Sequence, residues 1–135
     1  MLDESDVIEA VSRHLLEKGY AIIEKSGTDV DIIARKPESG GKILISAAGV
    51  ARSKAGRGKL EASYAESQIF RSVTKSLYSA LTMNKADEFS TGDRIALAFP
   101  DTPAFRRYLN AEKPVMDSLG IKIFLVTEEK DVVVL

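Results

Sequence analysis

The chain has no cysteine, no tryptophan and a single histidine. Without cysteine no disulfide can staple the fold, which suits a cytoplasmic protein. The lone His14 has no second histidine near it and reads as a surface or boundary residue, neither metal ligand nor base. Charge of one sign is also lacking: 19 Lys and Arg stand against 20 Asp and Glu. The molecule as a whole is therefore not built as a polyanion binder. No apolar run approaches the roughly 18 residues that span a bilayer, and no membrane partner is expected. The acidic opening MLDESDVIEA does not read as a signal peptide. Both glycine-rich phosphate motifs, GxGxxG and GxxxxGK[ST], are missing. The segment AGRGK at 55–59 is too short and follows no clean strand, which argues against a nucleotide-binding domain. There is no internal repeat, no low-complexity tract and no linker.

What is present suits one domain over residues 1–135 with its own core, at 44% hydrophobic and 29% charged residues. Residues 4–18 predict a helix, with Leu2, Val7, Ala10, Val11 and Leu15 on one side. Asp3 or Ser5 can cap it and Gly19 ends it. Strands are expected at Tyr20–Glu24, Val30–Ala34 and Lys42–Ala48, joined by short turns as an antiparallel meander with one wetter face. A long helix is expected at about Glu61–Met83, its apolar stripe running through Ala65, Ile69, Val73, Leu77, Ala80 and Leu81. A buried strand follows at Arg94–Phe99. Pro100-Asp-Thr-Pro103 then opens a helix, which Pro114 is expected to break in two before Gly120 closes it. The last strands are Ile121–Thr127 and Asp131–Leu135. The order α-β-β-β-α-β-α-β-β predicts an α/β domain, one mixed sheet flanked by helices.

The centre of this arrangement is Gly27–Gly49. Asp29 and Asp31 share one face of the second strand. On the third, Leu44, Ser46 and Ala48 share one face and Ile43, Ile45 and Ala47 the other. Next comes a basic stretch, Arg52, Lys54, Arg57 and Lys59, with no acid from Val50 to Leu60. A local patch of this kind can bind phosphate in a near-neutral protein. On the long helix Gln68, Arg71 and Lys75 lie together on a face away from the apolar stripe.

These residues resemble the PD-(D/E)xK nuclease superfamily, the restriction-endonuclease-like fold, over nearly the whole chain. The resemblance implies that Glu9, in EAVSRHLLEKGY, occupies the place of the first-helix glutamate. Asp31, in VDIIAR, occupies that of the strand aspartate. ILISAAG is similar to the third strand and its closing glycine, here Gly49. Gln68 resembles the glutamine of the next helix. The Glu-x-Lys of the third strand is replaced by Ser46 and Ala48.

In that family the carboxylates hold a divalent metal, typically Mg²⁺, and the lysine positions the nucleophile or steadies developing charge. Here the metal ligands would be Asp31 and Glu9. One preorganised donor is worth about 2.7–4 kcal/mol in a transition state. Losing the donor and a ligand together, at about 5.5 kcal/mol, means at least roughly four orders of magnitude in rate. The resemblance therefore implies a catalytically silent module that binds DNA or another nucleic acid through Arg52, Lys54, Arg57, Lys59, Arg71 and Lys75, with no certain cofactor. An active Mg²⁺-dependent nuclease is the alternative. Its displaced group would come from Lys54, Lys59, Glu61, Glu66 or Lys75. A third reading is a protein-interaction scaffold, whose final strand or open sheet edge pairs two subunits into a homodimer.

Overall fold

A computed structural model of the chain describes residues 2–25, 31–37, 41–49, 71, 73–78 and 93–135. The order begins with helix α1 (Glu4–Glu17) and strands β1 (Ala21–Lys25), β2 (Ile32–Arg35) and β3 (Lys42–Ala47). Helical residues 73–78, labelled α2, come next. Strand β4 (Arg94–Pro100), helix α3 (Pro103–Ser118) and strands β5 (Ile121–Val126) and β6 (Val132–Val134) complete it. This is the expected order.

The strands form one six-stranded sheet in sequence order, β1 to β6. The β1–β2 and β2–β3 pairs are antiparallel, as a meander requires. β3, β4 and β5 run parallel, and β6 returns antiparallel beside β5. The two parallel steps advance the same way across the sheet, so their crossover helices lie on the same face. Val73 of α2 and Phe105, Leu109 and Met116 of α3 pack there on Leu44, Leu97, Ile123 and Leu125. On the other face Val7, Ala10, Val11 and Leu15 of α1 cover Ile43, Ile45, Ala96, Ala98 and Phe124. The helical spacing of the apolar residues in α1 is what lays one side of that helix along the sheet.

Two expectations are corrected. A wetter face is kept in β1, where Ile23 is exposed and Ile22 packs on the core, but not in β2 and β3: Ile32, Ile33 and Ala34 are all buried, as are residues 43–47. With α1 on one side and α2 and α3 on the other, both faces of β2 and β3 are dry. Nor does Pro114 divide its helix, since α3 is continuous from Pro103 to Ser118. Proline removes one backbone donor, whose acceptor would be the carbonyl of Asn110. Asn110 and Pro114 are both exposed, so water can satisfy that carbonyl, and Ser118 Oγ donates to Pro114 O at 3.0 Å. The N-terminus of α3 is held as its sequence suggests. Thr102 is the N-cap, its Oγ1 accepting from Phe105 N at 3.1 Å, with Pro103 in the first turn.

The register of β3 is pinned at both ends. At its start, Lys42 N donates to Asp93 Oδ1 at 3.0 Å and Lys42 Nζ lies 3.6 Å from Asp93 Oδ2. That places Lys42 at the far end of the strand from Ala47 and keeps Ser46 and Ala48 where the sequence pattern put them. Among the described residues no helix is long and apolar enough to cross a membrane.

Candidate functional site

At the end of β3 three parts of the chain meet. Asp31 stands immediately before β2. Its backbone N–H donates to Ile45 O at 2.9 Å, and its carboxylate Oδ2 accepts from Ala47 N at 2.7 Å. The side chain thus reaches across to β3 and takes a backbone donor at the sheet's end. The regular register ends at the Ile32–Ile45 pair, and Asp31 N bonds the Ile45 carbonyl there. Ser46 is buried, and Ala48 packs against the cluster that contains Val73 and Leu77 of α2. The strand continues only as far as Ala48 N, which donates to Ala98 O at 3.0 Å.

Gly49 then brings in the start of α1. A Cβ on Gly49 would be driven into the Asp3–Glu4 peptide, a backbone group that cannot swing aside. Only glycine lets the two chains approach this closely. The first turn of α1 is itself fixed by a reciprocal cap. Asp6 N donates to Asp3 Oδ1 at 2.9 Å and Asp3 N donates to Asp6 Oδ2 at 3.1 Å. With the helix start set against Gly49, the side chain of Glu4 meets that of Asp31 and the two share a hydrogen bond.

The electrostatics follow from this geometry. Burial raises the Asp31 carboxyl above the ordinary carboxylate range, while the Ala47 N–H, the charge of Lys75 and the bond with Glu4 pull it partly back. Burial also raises Glu4, and the negative charge of Asp31 raises it further, against the opposing pull of Lys75. Two carboxylates in contact cannot both ionise freely, so they titrate as a pair. Lys75 acts on both from the exposed side of α2. Such a pair can share a proton or hold a cation between its oxygens. Mg²⁺ is often held by one or two carboxylates, with waters and phosphate oxygens completing its shell. Glu4 and Asp31 fit that donor set. Among the described residues no group of three or more His, Cys, Asp or Glu side chains comes together.

The structure sets the Asp31 carboxylate on Ala47 N at the end of β3, with Ser46 buried and Ala48 half-buried on that strand and the charge of Lys75 acting on Asp31. The carboxylate that joins them is Glu4, and Glu9 is exposed farther along α1. The two differ by five residues, about 7.5 Å along the axis and well over a third of a turn around it. Arg71 is helical and exposed, and Lys75 is exposed on α2. Arg52, Lys54, Arg57, Lys59, Glu61, Glu66 and Gln68 lie outside the described residues, as does most of the expected Glu61–Met83 helix. His14 is half-buried with its ring edge-on to Phe124, centroids 6.0 Å apart. Burial holds its imidazole below the ordinary histidine range. Glu4 could have been found from Gly49: a glycine closing a strand marks a close approach, and the start of α1 is what approaches.

Comparison with family models, with curated proteins and with solved structures finds no match.

Proposed function

We propose that this chain is a nuclease-like module of the PD-(D/E)xK type that binds nucleic acid and has lost efficient cleavage. The observation that carries the reading is the Glu4–Asp31 pair at the end of β3, within the field of Lys75, with Ser46 and Ala48 as the strand's side chains beside it. A carboxylate pair with a nearby cation on a helix is suited to a phosphodiester: the pair can hold a divalent metal, and the cation can meet a phosphate oxygen. The direction of Ser46 and Ala48 suits that role, but neither supplies a ligand or a charge. Lys75 on α2 and the exposed Arg71 before it supply cations, and the basic stretch at 52–59 adds more in sequence.

The test is DNA binding, duplex and single-stranded, over a range of salt. Counterion release predicts a log–log slope of about −0.9 per neutralised phosphate on duplex. Arg71→Ala and Lys75→Ala should each weaken binding to all sequences alike and flatten the slope by about 1. Binding that is absent, or indifferent to salt, refutes the reading.

One observation favours a second reading, an active Mg²⁺-dependent nuclease. Lys75 lowers the pKa of both carboxyls, as a lysine displaced from the strand onto α2 would. Cleavage in Mg²⁺ or Mn²⁺ that is lost in Asp31→Ala and in Lys75→Ala would establish it. Equal cleavage by wild type and Asp31→Ala would mean a contaminating enzyme.

A further inference from the structure

We propose that β6 is a self-pairing edge, at which two copies of this chain join antiparallel strands across a two-fold axis through Val133. Among the described residues the sheet has two edges, β1 and β6, and they are treated differently. β1 is interrupted by a register shift between Ile22 and Glu24, and its sequence ends in Glu24-Lys25. A bulge and charges of this kind are how an edge is protected from pairing. β6 has neither. It runs in unbroken register beside β5, Phe124 to Val134, Leu125 to Val133 and Val126 to Val132, and contains only valine.

The hydrogen bonds on either side of β6 fix which groups face outward. Thr127 N donates to Asp131 O at 2.8 Å, and Leu135 N donates to Ile123 O at 3.0 Å. In an antiparallel ladder bonded and non-bonded pairs alternate. The Leu125–Val133 pair is therefore bonded, and Val132 and Val134 turn their N–H and C=O groups away from β5. These outward groups lie symmetrically about Val133. A two-fold axis there sets Val132 against Val134 of the second copy, and Val134 against its Val132. All the outward donors and acceptors of both residues then pair. Val133 faces its own counterpart, and Asp131 comes opposite the Leu135 side chain. The side chains of Val133 and Val134 are 38% and 54% exposed and would be covered by the same contact.

The contact is short, so association is expected to be weak and concentration-dependent. Sedimentation or light scattering from about 10 μM to about 1 mM should show the mass rising from 14.7 kDa toward twice that value. Over the same range, amide exchange at Val132 and Val134 should slow with concentration, while Val133 stays protected throughout. Val134→Pro removes an outward donor and no bond to β5, since proline is tolerated on an edge with its nitrogen to solvent. It should be monomeric with an unchanged circular dichroism spectrum. Val133→Lys, which puts two cations face to face, should be monomeric as well. A wild type that stays monomeric at the highest concentration overturns the proposal, whether or not the edge accepts some other peptide. So does a dimer in which the Val132 and Val134 amides exchange freely, or one that persists in both variants.

Discussion

Replacing Gly49 by alanine tests how the candidate site is assembled. The added methyl meets the backbone of Asp3 and Glu4, so a side chain cannot give way to it. Either β3 must shift at its end, against the Ala48 N to Ala98 O bond, or the start of α1 must move off. Forcing extra volume into a packed place costs about 1–3 kcal/mol. If α1 moves, its reciprocal cap is strained too, and a lost cap is worth about 1 kcal/mol. Against this, alanine restricts the unfolded chain and returns about 0.4–1 kcal/mol. The net expectation is destabilisation of roughly 1–3 kcal/mol. Urea denaturation would read this as a lower midpoint at unchanged slope. Gly120→Ala is the control, because a Cβ there meets nothing while the backbone, at φ +73°, is one that alanine rarely adopts. Both variants should lose stability, but only Gly49→Ala should also separate Glu4 from Asp31 and return both carboxyls toward their ordinary titration range, read by NMR. If Gly49→Ala is as stable as the wild type, the start of α1 does not rest on the end of β3.

Two further outcomes follow from polar groups set against the core. The raised Asp31 and Glu4 carboxyls mean that the folded state binds protons more tightly than the unfolded one. Their contribution is fully present below the ordinary carboxyl range and is lost as pH rises through the raised values. At neutral pH in chelator, Asp31→Asn, which keeps an acceptor for Ala47 N, should therefore be more stable than the wild type in urea, with the difference closing toward about pH 4. A less stable Asp31→Asn at neutral pH would contradict this. Ser12 is buried in α1 and its Oγ has no hydrogen-bond partner among the described residues. Ser12→Ala should leave stability unchanged or raise it by about 1 kcal/mol by thermal or urea unfolding, since an unsatisfied hydroxyl is removed and helix propensity improves.

The parts of the fold legible in the sequence are those set by local chemistry. Glycine and proline mark the ends of elements, apolar runs mark the buried strands, and the α1 cap was narrowed to Asp3 or Ser5, of which Asp3 caps it. Burial on both faces of β2 and β3 was not legible, because a short apolar run does not say how many helices cover it. Pro114 misled because its cost depends on whether Asn110 O can reach water, a matter of tertiary position. On β3, side-chain direction follows from alternation, which sets Leu44, Ser46 and Ala48 on one face in sequence. The site was not legible on α1. Counting back from Gly19 and Tyr20 selects Glu9, but the slide of the helix along the sheet is fixed by its contact with Gly49. Lys75 stood among several candidate cations in sequence, and only packing of α2 against the β3 face sets its charge near the pair.

Glu4 and Asp31 differ in how far structure alone accounts for them. A carboxylate in the first turn of a helix is favoured by the dipole, so Glu4 has a local reason to be acidic. Asp31 has a reason to be an acceptor, because Ala47 N needs one at the end of the sheet. Asparagine would meet that need without a charge. The negative charge of Asp31 works against the fold instead: it is half-buried, it touches a second carboxyl, and its pKa is raised. Charges held against stability in this way concentrate where a protein binds or reacts. A divalent cation or the lysine-assisted approach of a phosphate would relieve the repulsion. That makes Asp31, more than the basic residues around it, the position at which a binding role and a purely structural one can be separated. Added Mg²⁺ should raise the melting temperature of the wild type and leave that of Asp31→Asn where it was. A shift of the same size in both would mean that the charge serves no cation at this site.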